Sequence, residues 1–445
     1  MLSQERWIKL APHMRDEFDE CLLEGLDVED LRDACEGAPE TGDEDAAREI
    51  YDRMHRRPTS PEFTFEEPSS YPEIAAASPG LPDTPRVDLT DGELLDRLEG
   101  AWTGRVAGCL LGKPVEGWKR EDVWPLLRAS ENYPMRKYIM KKDLTGGYAR
   151  RADAPGDMFC NPFYADLCGG VGPADDDTNY TVLALKMMER CGRDFTPEDV
   201  MEAWLRWMPF LSTCTAERVA YRNAAMGLLP PDTATYYNPF REWIGAQIRT
   251  DFYGYVNPGD PRAAAEMAFR DASVSHTKNG IYGAMFAAAC VSAAVVCTEA
   301  EDVVLQGTAI IPRNCRLRRD IDLVREWRDA GLSPTDVMDR IHEMYPPDRD
   351  AGWVYTNPNT MIVTMALLYG GGDFAKSLCL AVEACFDTDC NGATVGSVMG
   401  MLCGRGGIGE EWTEPFRNGF RTDIAGFETA HPGDLARRTL ALIKR

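Results

Sequence analysis

Apolar residues return every three or four positions through most of this chain, while strict alternation of apolar and polar positions is scarce. The spacing predicts helices over 93–111, 178–190, 197–207, 262–272, 279–298, 334–343, 359–369, 374–385, 392–403 and 433–443. Thr90 with Glu93 forms a capping-box pattern ahead of the first of these. Upstream, helical spacing runs over 4–35, for example Trp7, Leu10, Met14, Phe18 and Leu22, and again over 44–57. Seven prolines between Pro58 and Pro85 then predict an extended linker or wrapping arm. From Asp91 onward the composition is uniform and no repeat of 20–50 residues recurs, so the expected fold is all-α and compact, not a solenoid. The expected organisation is a helical N-terminal extension over 1–57, a Pro-rich linker over 58–90 and one catalytic domain over 91–445.

Two of the expected helices carry glycine at every fourth position: Gly100, Gly104, Gly108 and Gly112 in one, Gly392, Gly396, Gly400 and Gly404 in the other. Spacing by four puts each set on one face, where the missing side chains allow another backbone to come close. Glycine costs up to ~1 kcal/mol per helical position relative to alanine, so close packing must offset it.

Charge narrows the partners. Lys plus Arg number 48 against 72 Asp plus Glu, a net charge of −24. Such a chain is repelled by phosphate backbones and anionic lipid, so neither nucleic acid nor a membrane is an expected partner. Residues 1–90 hold 23 acidic and 9 basic residues, so the extension is strongly acidic. The charged N-terminal residues do not resemble a secretory signal, and the longest apolar run, 284–297, is too short to span a bilayer. The 14 cysteines show no paired spacing, which fits reduced thiols and a cytoplasmic location.

The chemistry lies beside the glycine stripes. Asp175, Asp176 and Asp177 stand directly before the 178–190 helix, and consecutive carboxylates repel one another unless a partner holds them. With the Thr178 hydroxyl they form an oxygen cage suited to a hard divalent cation. Asp387 and Asp389 repeat the theme at the head of the second striped helix. Only five histidines and no cysteine cluster are present, so oxygen-ligated magnesium, with manganese or calcium as alternatives, is expected over zinc, as one or two ions. Glu116 follows the proline turn that ends the first striped helix and is a candidate cleft-facing carboxylate.

Gly-Cys-Leu-Leu-Gly-Lys-Pro-Val-Glu at 108–116, Asp-Asp-Asp-Thr at 175–178, Ser-His-Thr at 275–277 and Asp-Thr-Asp-Cys-Asn-Gly-Ala at 387–393 together resemble the ADP-ribosylglycohydrolase family, in order and spacing, over about 91–445. That family includes dinitrogenase reductase-activating glycohydrolases and hydrolases of ADP-ribosylated arginine and serine. The resemblance implies an all-α orthogonal bundle with a binuclear magnesium-type site. It implies Asp176, Asp177, Asp387 and Asp389 as ligands, with Asp175 added here, and Glu116 near the scissile bond. Many members have Thr where this chain has Asp175, and Thr or Ser where it has Cys390.

Cleavage of a ribosidic bond develops positive charge on the sugar ring. A carboxylate such as Glu116, with Asp177, can stabilise that charge or manage a proton, while bound ions orient the ribose and activate water. Gly169, Gly170 and Gly172 are expected to bring backbone N–H groups to a pyrophosphate. Gln247, Arg249 and Tyr253 occupy the position of the family's substrate loop, and His276 is a candidate wall residue. The expected substrate is an ADP-ribosylated or related N- or O-riboside. Two other readings use the same residues: a non-catalytic or ADP-ribose-binding member of the fold, and an all-α diphosphate-dependent synthase.

Overall fold

A computed structural model describes residues 7–82, 88–153, 164–347 and 352–444. The chain is all-α, apart from a two-stranded ribbon pairing Phe420–Arg421 with Thr429–Ala430. No helix among the described residues is long and apolar enough to cross a membrane. The apolar run near residue 290 lies in the helix Lys278–Ala294, in which every residue after Lys278 is buried. Packed beside it, Thr356–Gly370 and Thr388–Cys403 are also buried almost throughout. An amphipathic stripe is absent from such helices because apolar neighbours surround them on all sides.

Among the described residues, four short α-helices precede the bundle: α1 (Met14–Leu23), α2 (Arg32–Thr41), α3 (Glu44–Met54) and α4 (Tyr71–Ala77). The helical pattern expected over 4–35 is broken at Gly25, whose φ of +77° ends α1; Phe63 fills the space a Cβ there would need. Leu10, Met14, Phe18, Leu31, Tyr51 and Met54 form a small core of their own. Within the expected linker, α4 begins with Pro72 in its first turn, where a missing N–H costs nothing. Further residues of that arm touch the bundle. Glu67 pairs with Arg316 at 2.7 Å, and Ser78 donates to the Ile310 carbonyl at 2.6 Å.

The long helix α5 (Asp91–Gly112) starts at the Thr90–Glu93 capping box. Its glycine face meets that of Thr388–Cys403. A Cβ on Gly100, Gly104 or Gly108 would strike the carbonyl of Gly400, Gly396 or Gly392, and one on Gly112 the backbone of Thr388. This seam fixes the two helices in one register, and the carboxylate motifs stand at the same end of it.

The extension is joined to the bundle by buried charge. Arg241 is 4% exposed and donates to Glu17 at 2.9 and 3.0 Å and to Glu24 at 2.9 Å, both on or beside α1. Lys278 lies 3.1 Å from Glu24. Removing one partner of a buried pair costs about 3–5 kcal/mol, because the other charge stays buried. Arg241→Met is therefore expected to lower stability by that amount and to make residues 1–57 the first segment released by limited proteolysis. Unchanged cleavage would show that other contacts hold the extension.

Candidate metal centre

Each acidic motif stands where a helix begins. Asp175 caps the helix Asp176–Cys191, its Oδ1 accepting the Asp177 N–H at 3.0 Å. Asp387 precedes the first turn of Thr388–Cys403. Two non-glycine residues just before it, Cys385 and Phe386, adopt left-handed φ values of 67° and 63°. Such residues cost about 1–2 kcal/mol each and persist where surrounding structure holds them. Here Asn359 is the holder: its side-chain oxygen accepts from the Asp387 N–H at 3.2 Å and from Asn391 Nδ2 at 2.7 Å. The Thr388 hydroxyl donates to the Gly112 carbonyl at 2.9 Å, joining the ends of the two striped helices.

The fold brings the separated acids together. Asp177 and Asp389 offer ligand atoms within 4.8 Å of each other, as do Glu116, Asp387 and Asp389. Three aspartate oxygens in this group, Asp177 Oδ2, Asp387 Oδ1 and Asp389 Oδ1, are buried without a hydrogen-bond partner. Buried polar atoms are almost always paired, so these oxygens are the ones that could receive a cation. The set is hard and anionic, which suits magnesium, manganese or calcium; the Cys390 thiol beside it does not.

The charges feel one another strongly. Burial and Asp175 push the Asp176 carboxyl up to about 8. Burial and Asp175 also raise Asp177, with Arg105 opposing; burial and Asp389 raise Asp387 and Glu116 well above the usual carboxylate range. Asp175 behaves oppositely. Burial would raise it, but Lys113, 2.7 Å from its Oδ2, holds it below its ordinary value. Arg105 is fully buried on α5; it donates to the Asp177 carbonyl at 2.8 Å and to Asp251 at 2.6 Å, and lies 3.4 Å from Asp177 Oδ1.

A cavity of about 420 Å³ opens over the acids. Glu116, Asp176 and Asp387 lie on its floor side, with Trp243, Ile244 and Trp353 on its walls. Trp7, Pro12, His13, Arg15 and Asp16 of the N-terminal extension line it too.

Other sequence expectations fall elsewhere. Gln247, Arg249, Tyr253 and His276 are buried and do not line this cavity. Arg249 is held by Glu217 at 2.6 Å, by Asp271 and by Ser275 at 2.9 Å, and Tyr253 donates to Asp271 at 2.7 Å. Gln247 accepts from Thr360 at 2.6 Å, and His276 shares a 2.8 Å bond with Ser275. These side chains build the wall from behind. Gly172 gives its N–H to the Gly419 carbonyl at 2.9 Å, and the Gly170 carbonyl accepts from the Asn418 N–H at 2.8 Å. Those two and Gly169 are likewise outside the cavity lining. Sequence reasoning passed over Lys113, Arg105 and Asn359. Lys113 lay in plain view within the 108–116 motif, but a lysine after a helix reads as solvated. The signal was the proline that follows it, which fixes the backbone beside the acids.

No curated protein sequence matches this chain. One solved structure, described as an ADP-ribosylglycohydrolase-related protein complex, is similar at 21% identity and a TM-score of 0.44, over 79% of this chain and 99% of its own. The sequence model for ADP-ribosylglycohydrolase matches residues 90–444, a span that begins at the cap of α5 and includes both glycine stripes and every acid of the centre. On that match, this chain belongs to the ADP-ribosylglycohydrolase family.

Proposed function

We propose that the protein hydrolyses the N- or O-ribosyl bond of an ADP-ribosylated or related substrate, at a centre where Asp176, Asp177, Asp387 and Asp389 hold a divalent cation, magnesium first. One observation carries this reading: unpartnered, buried carboxylate oxygens from segments some two hundred residues apart converge beneath a cavity large enough for a ligand. When bound, the ion would supply a grip on the ribose hydroxyls and a water of lowered pKa.

The protein's own groups do the rest. Glu116 lies on the floor side of the cavity, where burial and Asp389 raise its carboxyl against the pull of Lys113, so it can donate a proton to the departing atom. Once ionised, the same carboxylate faces the positive charge that develops on the ring. Arg105 fixes Asp177 through both carbonyl and carboxylate, which keeps the ligand oxygen aimed. Trp243, Ile244 and Ile248 supply apolar wall that limits bulk water around the reacting bond.

The test is a panel of ADP-ribosylated arginine and serine peptides, ADP-ribose esters, NAD and nucleosides, each with and without divalent ion. Ion-dependent release of ribose or ADP-ribose from at least one is expected. Binding of ADP-ribose with no turnover of any member would make the protein a non-catalytic relative. Glu116→Gln is expected to slow turnover by about 10²–10⁴-fold, the usual contribution of a positioned acid or base, with ion affinity unchanged. Loss of ion binding in that variant would instead make Glu116 a ligand.

A further inference from the structure

Lys113 ends among three carboxylates of the centre. Its ammonium lies 2.7 Å from Glu116 Oε2, 2.7 Å from Asp175 Oδ2 and 2.9 Å from Asp389 Oδ2, so carboxylates from three separate segments ring one positive charge. The side chain is 11% exposed, and its backbone has little freedom. Gly112 is wedged against the Thr388 backbone, its carbonyl accepts the Thr388 hydroxyl at 2.9 Å, and Pro114 follows.

The supply of oxygens then limits how many ions the centre can take. Asp175 is fully engaged: Oδ1 accepts the Asp177 N–H and Oδ2 meets the ammonium. Asp389 gives Oδ2 to the ammonium and keeps Oδ1 without a partner. Asp177 has Oδ1 toward Arg105 and Oδ2 without a partner, and Asp387 adds a further unpartnered Oδ1. Three such oxygens, with Asp176 from the cavity side and water completing about six ligands, suit one hard ion. A second ion seated among Glu116, Asp175 and Asp389 would need the oxygens that Lys113 already holds.

We propose that Lys113 is a fixed internal cation standing in place of a second divalent ion, so that the centre binds one ion per chain. This inference rests on the metal-centre reading given above. Asp175 then acts as the counter-charge of the lysine and not as a ligand, and the second ion's charge is supplied by the chain.

The test counts ions. Full-length protein is stripped with chelator, loaded with manganese, freed of excess and measured for manganese per chain and by electron paramagnetic resonance. The wild type is expected to hold one manganese with the spectrum of an isolated ion. Lys113→Met and Lys113→Gln are expected to hold two, with the spectrum of an exchange-coupled pair, and Lys113→Arg to hold one. Circular dichroism identifies any variant that fails to fold, and the wild-type count and spectrum decide the matter in that event. Two ions in the wild type would overturn the role of Lys113 and leave the metal centre standing. One ion in folded Met and Gln variants would also overturn it. No ion in the wild type would overturn the inference together with the metal-centre reading.

Discussion

Gly104→Ala is expected to destabilise the protein by about 3 kcal/mol, the upper end of what overpacking a well-filled interior costs. Alanine is the better helix former by ~1 kcal/mol, so propensity alone would give the opposite sign. The added Cβ meets the Gly396 carbonyl, a backbone group that cannot turn aside as a side chain could. Gly396→Ala is expected to behave alike, and the pair to cost less than the sum, because helices already forced apart accommodate the second methyl. Gly92→Ala is the control: it lies at the exposed start of α5, where a Cβ would meet only Thr90 Oγ1 at 4.0 Å. It is expected to leave stability unchanged or slightly raised. Urea unfolding of the four variants checks this, and equal midpoints would remove the seam from the account. The seam also governs the site, since Lys113 follows Gly112 directly and Asp389 follows Thr388. Gly104→Ala should therefore weaken cation binding while the protein is still folded.

Asp176→Ala combined with Asp387→Ala is expected to abolish turnover, by at least about 10³-fold for a loss near 4 kcal/mol of transition-state stabilisation. The same variant should be more stable than the wild type when both are free of divalent ions. Burial and Asp175 raise Asp176 to about 8, and burial and Asp389 raise Asp387, so folding near neutral pH costs the uptake of protons that these carboxyls do not hold in the unfolded chain. Between pH ~4 and about 8 the folded chain binds more protons at these groups than the unfolded chain, so ion-free stability falls as pH rises. That slope should flatten in the double variant. Conversely, an ion at a hundred times its dissociation constant stabilises the wild type by about 2.7 kcal/mol, and this gain should vanish. Thermal unfolding across pH, with and without magnesium, tests all three statements. Wild-type turnover in the double variant would dismiss the centre.

The helical plan was legible because most helices carry a clear apolar period. The stretch Pro197–Trp207 begins with Thr196 and Asp199 as a capping pair and ends within the predicted span. Helices such as Arg120–Ala129 and Arg316–Asp329 escaped notice, the first because Pro125 sits inside it, the second because most of its residues are charged. The acids and the glycine stripes were readable because each is locally odd: repelling charges in a row, and poor helix formers at a fixed interval. Depth was not readable. Arg249 has Asp251 two residues away in sequence, yet it pairs with Glu217 and Asp271, while Asp251 goes to Arg105. A donor and aromatic rings in one loop look like recognition chemistry until the fold shows their polar atoms bonded to interior partners.

The wall that residues 7–16 contribute to the cavity has a consequence for how this chain can diverge. Trp7, His13 and Asp16 stand over the same space as Asp176 and Asp387, but they come from a segment before the span matched by the family. Changes there reshape the room above the acids without touching any of them. A fragment cut to 90–444 would retain the carboxylates but lose one side of the vestibule and the Glu17 and Glu24 partners of Arg241, so trimming should loosen selection at the cavity mouth and weaken the fold together.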